Sequence, residues 1–180
     1  EVTGETRISE MRYNGQVSLS PIRNLNLSLL LSSVKRNEIS GYAESFDHKA
    51  SEVNNRRGYA SRGSELFRDD LLRIQGDYTK AFQDHRFTIM GGYEWQSVTE
   101  EGFSAYNSNF PTELYTYNRL QSGLSLTSIA NDPVGISSGK ENFKLIGFFG
   151  RITYAYNEKY LLYGTLRHEG SSKFGANYKW

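Results

Sequence analysis

Along much of the chain, apolar and polar residues alternate one by one, the period of a strand with two unlike faces. The clearest case lies within 142–156. Ile146, Phe148, Gly150, Ile152, Tyr154 and Tyr156 share one face, and Gly147, Phe149, Arg151, Thr153 and Ala155 share the other. Within 160–173, Tyr160, Leu162, Gly164 and Leu166 stand against Leu161, Tyr163, Thr165, Arg167 and Glu169. Within 65–82, Leu72, Ile74, Gly76 and Tyr78 oppose Arg73, Gln75, Asp77 and Thr79. Within 86–97, Phe87, Ile89, Gly91, Tyr93 and Trp95 oppose Thr88, Met90, Gly92, Glu94 and Gln96. The first strand, about 8–20, sets Tyr13, Gly15, Val17 and Leu19 against Arg12, Asn14, Gln16, Ser18 and Ser20. The second, about 25–35, alternates least well, because Leu29, Leu30 and Leu31 follow one another.

Two kinds of connection join these runs. Pro21-Ile22-Arg23-Asn24, Gln83-Asp84-His85 and Asn157-Glu158-Lys159 are short and polar and read as hairpin turns. Residues 36–63 and 97–141 are long, polar and rich in Gly, Ser, Asn and charge. Structureless connections beyond about 12–15 residues are uncommon in compact domains. Short turns at one end and long loops at the other are the plan of an outer-membrane barrel. The pattern predicts an all-β fold: six antiparallel strands, in three hairpins linked by two long loops, forming part of a large transmembrane β-barrel.

Charge placement tests this reading, since Lys or Arg facing lipid at mid-membrane costs roughly 2–4 kcal/mol. Arg73, Asp77, Glu94, Arg151, Arg167 and Glu169 all carry the parity assigned to the lumen. Lys80 has lipid parity beside a turn, where it can snorkel. Asp70 and Lys144 have lipid parity, but lie beyond the 9–11 residues or so that a spanning strand needs. His168 fits poorly, having lipid parity near the expected outer interface. Aromatics fall at two levels, as membrane girdles do. Tyr78, Phe87, Tyr154, Tyr156 and Tyr160 lie by the short turns, and Tyr13, Tyr93 and Trp95 lie toward the other rim. A soluble β-sandwich, such as a carbohydrate-binding module, also alternates and is the competing reading.

Composition changes this picture little. Aromatics reach 14% while hydrophobic residues total only 37%, which suits alternating strands better than packed helices. A net charge of +1 gives no sign of a nucleic-acid partner. Without cysteine there are no disulfides or thiolate metal sites. The opening residues hold no apolar signal-like run, and no stretch approaches the roughly 20 apolar residues of a membrane helix. Any membrane contact is therefore expected through strands.

Phe148-Phe149-Gly150-Arg151-Ile152-Thr153-Tyr154-Ala155-Tyr156 leads through Asn157-Glu158-Lys159 into Tyr160-Leu161-Leu162. Leu166-Arg167-His168-Glu169-Gly170-Ser171-Ser172-Lys173-Phe174-Gly175 follows, then Asn177-Tyr178-Lys179-Trp180. This run closely resembles a barrel hairpin of SusC/RagA-like TonB-dependent outer-membrane transporters. That family has an aromatic-Gly-Arg strand, a Lys-Tyr-Leu-Leu restart and an Arg-x-Asp-Gly-Ser-Ser-basic-Phe-Gly exit. Glu169 stands where the family usually has Asp, and residues 72–96 match more loosely. The resemblance implies a wall segment of an importer of glycan or peptide fragments, in the outer membrane of a Bacteroidetes-type envelope. It implies partners too: outer-membrane lipid, the remaining barrel and plug of the same polypeptide, a SusD-like lipoprotein lid, and TonB acting through parts absent here. It also places Trp180 inside the family's chain, so an assembly-signal terminus is not expected.

Signs of catalysis are missing. His48, His85 and His168 lie in separate segments with no metal-ligand spacing, and neither metal nor other cofactor is expected. Ser171-Ser172 lacks a nucleophile elbow. Glu100-Glu101 reads as solvated charge, as does Arg56-Arg57, and the Asn26-Leu27-Ser28 sequon reads as chance. The better candidates for ligand or partner contact are the loop aromatics Tyr106, Phe110, Tyr115 and Tyr117. Such rings offer a flat apolar face, and tyrosine adds a hydroxyl.

Overall fold

A computed structural model of the chain describes residues 1–126 and 135–174. Six strands form one sheet in chain order: β1 (Val2–Ile22), β2 (Leu25–Glu44), β3 (Tyr59–Phe82), β4 (His85–Ser108), β5 (Gly135–Tyr156) and β6 (Tyr160–Ser171). All neighbours are antiparallel. In the last pair Arg151 faces Thr165, Phe149 faces Arg167 and Gly147 faces Glu169, so residues of one parity share a face across both strands. The sheet leaves β1 and β6 as its two edges.

The turns explain themselves chemically. Arg23–Asn24 and Gln83–Asp84 are two-residue connections, and Asn157–Lys159 is the third turn. Each needs left-handed backbone: Asn24 has φ 70°, Gln83 φ 50°, Asn157 φ 48° and Glu158 φ 53°. Asn tolerates that region through local side-chain hydrogen bonding. The turns are also tied to neighbouring hairpins: the Thr79 amide donates to the Asn24 carbonyl at 3.0 Å, and the Asn157 amide to the Asp84 carbonyl at 2.7 Å.

Strands run farther than alternation suggests. β3 and β4 have 24 residues each, and much of the stretch expected as loop is paired strand: 36–44, 59–63, 97–108 and 135–141. Polar sequence there hides the pairing, because sheet hydrogen bonds do not require a hydrophobic face. Within the remainder of the first loop, a five-residue helix, α1 (Lys49–Val53), starts at His48, whose Nδ1 accepts from the Ala50 amide at 3.4 Å.

The chain divides into two compact units. The hairpin unit comprises 12–34, 68–99 and 142–174 of the described chain. Here the alternation becomes geometry. Tyr93 packs on Phe148 with ring centroids 5.3 Å apart, and Phe87 on Tyr154 at 4.8 Å, all on the apolar parity. Leu27 of β2 meets Gly76 on that same face. This assigns the odd positions of β2 (Leu25, Leu27, Leu29, Leu31) to the apolar side and leaves Leu30 and Val34 as apolar residues on the polar one. Among the described residues nothing covers the apolar face: on the central strands Ile74, Ile89 and Ile152 are 49%, 48% and 52% exposed. His168 sits opposite Phe148 in the register and stays exposed.

The loop unit comprises 1–11, 35–67, 100–126 and 135–141 of the described chain. It holds a small core of Ala43, Ala60 and Phe110, with Phe46, Tyr117 and Leu120 packed against it. Its chain after β4 winds through short 3-10 turns at Thr116–Asn118, Leu120–Ser122 and Leu124–Leu126. Asn107, almost fully buried, donates to the carbonyls of Leu120 at 2.9 Å and Gly123 at 3.1 Å. One side chain thus satisfies two carbonyls that a coil segment would otherwise leave unpaired.

Gly92 shows how tightly the polar face of the hairpin unit is filled. A Cβ there would lie 2.3 Å from Phe149 Cζ and 2.7 Å from the Ile74 carbonyl oxygen. Gly92→Ala is expected to destabilise the fold by about 1–3 kcal/mol, the usual cost of overpacking. Gly102→Ala, whose Cβ meets nothing within 4 Å, serves as the control. The measure is the fraction of full-length protein that stays folded, and so heat-modifiable on gels, when extracted from membranes. Equal fractions for the two variants would show that Phe149 moves aside freely.

Candidate functional site

Two polar centres and one set of loop aromatics stand out. The first centre lies on the polar face of the hairpin unit and joins three strands. Arg73 of β3 donates through Nε to Glu94 Oε2 at 2.7 Å. Arg167 of β6 reaches Glu94 Oε1 at 2.9 Å, crossing β5. Arg167 also pairs with Glu169 on its own strand. Beside the crossing β5 carries Gly147, where a Cβ would meet Arg167 Nη2 at an ordinary contact distance of 3.5 Å. Arg167 lies over the rim of the Phe149 ring, 6.0 Å from its centroid.

Glu94 keeps only 13% of its side-chain surface exposed, while the arginines keep 41% and 49%. A carboxylate so covered requires compensation, and two guanidinium groups supply it. Further along the same face, Gln96 donates to both oxygens of Asp69, and Gln75 donates to Asp77 at 2.9 Å. Of the six charged positions expected on this face, Arg73, Glu94, Arg167 and Glu169 thus form one network. Asp77 takes a neighbouring amide, and Arg151 is exposed with no ion pair among the described residues.

The second centre, in the loop unit, is built on Glu44 at the end of β2. Arg56 Nη2 donates to Oε2 at 2.8 Å, Ser51 Oγ to the same oxygen at 3.1 Å, and the Tyr42 hydroxyl to Oε1 at 3.1 Å. Burial pushes the Glu44 carboxyl up, but these hydrogen bonds and the Arg56 charge more than reverse it, holding it below the usual carboxylate range. Arg56 also lies 4.2 Å from the Tyr59 ring centroid, and Tyr59 stands against Tyr42 and Tyr106. Glu44 gives no warning in the sequence. Its donors come from positions 42, 51 and 56, separated by a helix that the pattern did not announce.

The four loop aromatics lie in different settings. Phe110 is buried against Ala43 and Ala60. Tyr117 covers Gly41, and its hydroxyl donates to Glu5 Oε2 at 2.9 Å. That bond raises the Tyr117 phenol and lowers the Glu5 carboxyl from their ordinary values. Tyr106 packs over Gly135 and beside Tyr59. Tyr115 is exposed, with Arg119 4.9 Å from its ring centroid. Ser171 and Ser172 spend their hydroxyls on main-chain amides, of Lys173 at 3.2 Å and Lys144 at 2.8 Å. Trp180 lies outside the described residues.

Two outcomes follow. Glu94→Gln is expected to cost about 1–3 kcal/mol, since hydrogen bonds to charged groups are lost and two guanidinium groups remain. Arg73→Ala should then cost less in that background than alone, which a double-mutant cycle on urea unfolding of the full-length protein would read. Glu44 has a depressed folded value. Its contribution is complete above the ordinary Glu value of about 4.3 and is lost as pH falls through the lowered one. Hydrogen-exchange protection across 44–60 should accordingly hold from neutral pH to about 5 and drop only below the ordinary carboxylate range. In Glu44→Gln the drop should be absent.

No family model matches the chain. TonB-dependent receptor P3 of Formosa agariphila is 35% identical over 103 residues, 57% of this chain and 10% of that protein. TonB-dependent receptor P26 of the same organism is 31% identical over 98 residues, 54% of this chain and 9% of that protein. The chain thus spans about a tenth of the length of the curated relatives it matches. Among solved structures, the RagAB peptide transporter superposes with a TM-score of 0.84 and 15% identity, covering 99% of this chain and 19% of that one. The RagAB peptide importer in its open-open state gives the same values. Those likenesses carry the fold, and the receptors carry the kinship in sequence. In sequence the chain is thus similar to part of TonB-dependent receptors, and in fold to part of the RagAB transporter barrel.

Proposed function

We propose that this chain is part of the wall of an outer-membrane importer of glycan or peptide fragments. One observation carries the reading: in the hairpin unit an exposed apolar face backs onto a face of ion pairs and amides, with period two. Water disfavours the first face and hydrocarbon disfavours the second, so each needs a different medium. Lipid outside and an aqueous or plug-filled lumen inside supply both. A sandwich would require a second sheet over Ile74, Ile89 and Ile152. The described residues form one sheet, and of the buried hydrophobic residues Ala43, Ala60 and Phe110 lie in the loop unit, leaving Val98 to the hairpin unit.

The partners proposed are those of the whole transporter: the rest of the barrel and the plug on the same polypeptide, a SusD-like lipoprotein at the loops, and TonB through segments beyond this chain. A Bacteroidetes-type outer membrane is the proposed location, in keeping with the Formosa relatives. The likeness to the RagAB peptide transporter favours peptide fragments as cargo. Tyr115, exposed on its loop, is the candidate for touching cargo or lid.

Membrane fractionation of the native host tests this. The full-length protein should appear in the outer membrane as a detergent-dependent, heat-modifiable species. Recovery in the soluble fraction with cooperative unfolding would overturn the proposal. Within that experiment Ile152→Arg should lose folded protein by the equivalent of about 2–4 kcal/mol, while Thr153→Arg, one residue on and facing the lumen, should cost little. Equal losses would mean that the two faces do not meet different media.

A further inference from the structure

The apolar face of the hairpin unit is not uniform. Across β1 to β4 it opens into a groove of about 610 Å³, walled by Tyr13 and Trp95 and floored by Gly15, Leu31 and Leu72. Gly15 leaves the floor low: a Cβ there would meet nothing within 4 Å. One end of the groove is polar. Ser33 Oγ donates to Asp70 Oδ1 at 2.7 Å, and Arg68 Nε pairs with Asp70 Oδ2 at 2.7 Å.

Depth along the strands sorts these residues. Leu31 stands six positions from the first residue of β2, and Leu72 ten from the last residue of β3. Ser33, Asp70 and Arg68 follow two, two and four positions farther from the turns. A spanning strand uses about 9–11 residues. Leu31 therefore lies within the hydrocarbon, Leu72 lies near its far edge, level with Tyr13 and Trp95, and Asp70 and Arg68 lie just beyond, at headgroup level.

The trio is charge-neutral but not saturated. Asp70 accepts one bond on each oxygen, and a carboxylate has room for about four. Arg68 spends Nε on Asp70, and its side chain is 58% exposed, so its remaining N–H groups face outward. A lone cation there would favour an anionic headgroup. A cation beside an unsaturated carboxylate favours a headgroup that carries both signs.

We propose that this groove is a binding site for a zwitterionic amino lipid. Its acyl chain lies over Gly15 between Leu31 and Leu72, its anionic group takes the free N–H groups of Arg68, and its ammonium donates to Asp70. The assignment rests on the barrel reading, since it places this face against lipid.

The test uses the full-length transporter, first verified as heat-modifiable and then placed in nanodiscs of equimolar phosphatidylethanolamine and phosphatidylglycerol. Native mass spectrometry after detergent release reads the retained lipid. Phosphatidylethanolamine should be retained over phosphatidylglycerol by at least about threefold. Gly15→Trp, which fills the floor, should remove most of the retained lipid. Asp70→Ser should keep retention but abolish the preference for the amino lipid, and Arg68→Ala should weaken retention of both. Unchanged retention in Gly15→Trp, or a preference for phosphatidylglycerol in the wild type, would overturn the site. Loss of heat-modifiability in the wild type would instead overturn the barrel reading beneath it.

Discussion

A backbone amide or carbonyl left unpaired in hydrocarbon costs several kcal/mol, and that constraint shapes everything else in the hairpin unit. It requires each strand to pair on both sides, so the six strands here form an unbroken series with chain-order neighbours. It also fixes what the side chains do. Once the main chain is consumed by the ladder, successive residues have only two directions to point. One direction is given to Ile74, Ile89 and Ile152, the other to Arg73, Glu94 and Arg167. The open edges at β1 and β6 belong to the same logic, because a sheet of this kind is complete only when further strands close it.

Filling the polar face poses a separate problem. Side chains there must satisfy one another or meet water, and long cations must cross intervening strands to find their partners. Small residues leave room on that face. Gly92 accepts the Phe149 ring, and Arg167 passes Gly147 of β5 at ordinary contact distance on its way to Glu94. These glycines are spacers on one face of the sheet. Their role differs from that of the turn residues Asn24 and Asn157, whose value lies in backbone conformation.

The hairpin unit was legible in sequence because lipid imposes a strict rule on every residue. Period two, three polar turns and charges of one parity between the two interfaces all follow from it. Where the rule relaxes, legibility fails. The Leu29-Leu30-Leu31 run obscures β2 only because Leu30 sits on the polar side, where an apolar residue is tolerated. The strand extensions 97–108 and 135–141 scatter their few apolar residues, such as Val98 and Phe103, over both faces, so pairing leaves no period-two signature. The loop unit depends on single side chains meeting distant backbone: Asn107 with Leu120 and Gly123, and Asn109 with the Arg57 amide at 2.8 Å. No periodicity encodes such meetings. Phe110 and Tyr117 were visible as aromatics, but burial against Ala43 and Ala60 comes only from how the loops fold back.

The two polar centres share a design whose consequence is specificity of register. In each, one covered carboxylate is surrounded by donors from several elements: Glu94 by Arg73 and Arg167, and Glu44 by Arg56, Ser51 and Tyr42. Paired charges of this kind add little net stability, because desolvation offsets much of the attraction. They penalise error heavily. A slip of β3 by one residue would carry Arg73 from Glu94 to the apolar face and bring Leu72 or Ile74 to the polar one. The apolar face alone would tolerate many near-equivalent packings, since its residues are interchangeable in lipid. The ion pairs accept only one alignment of β3, β4 and β6, and that alignment also sets Phe149 into the space over Gly92.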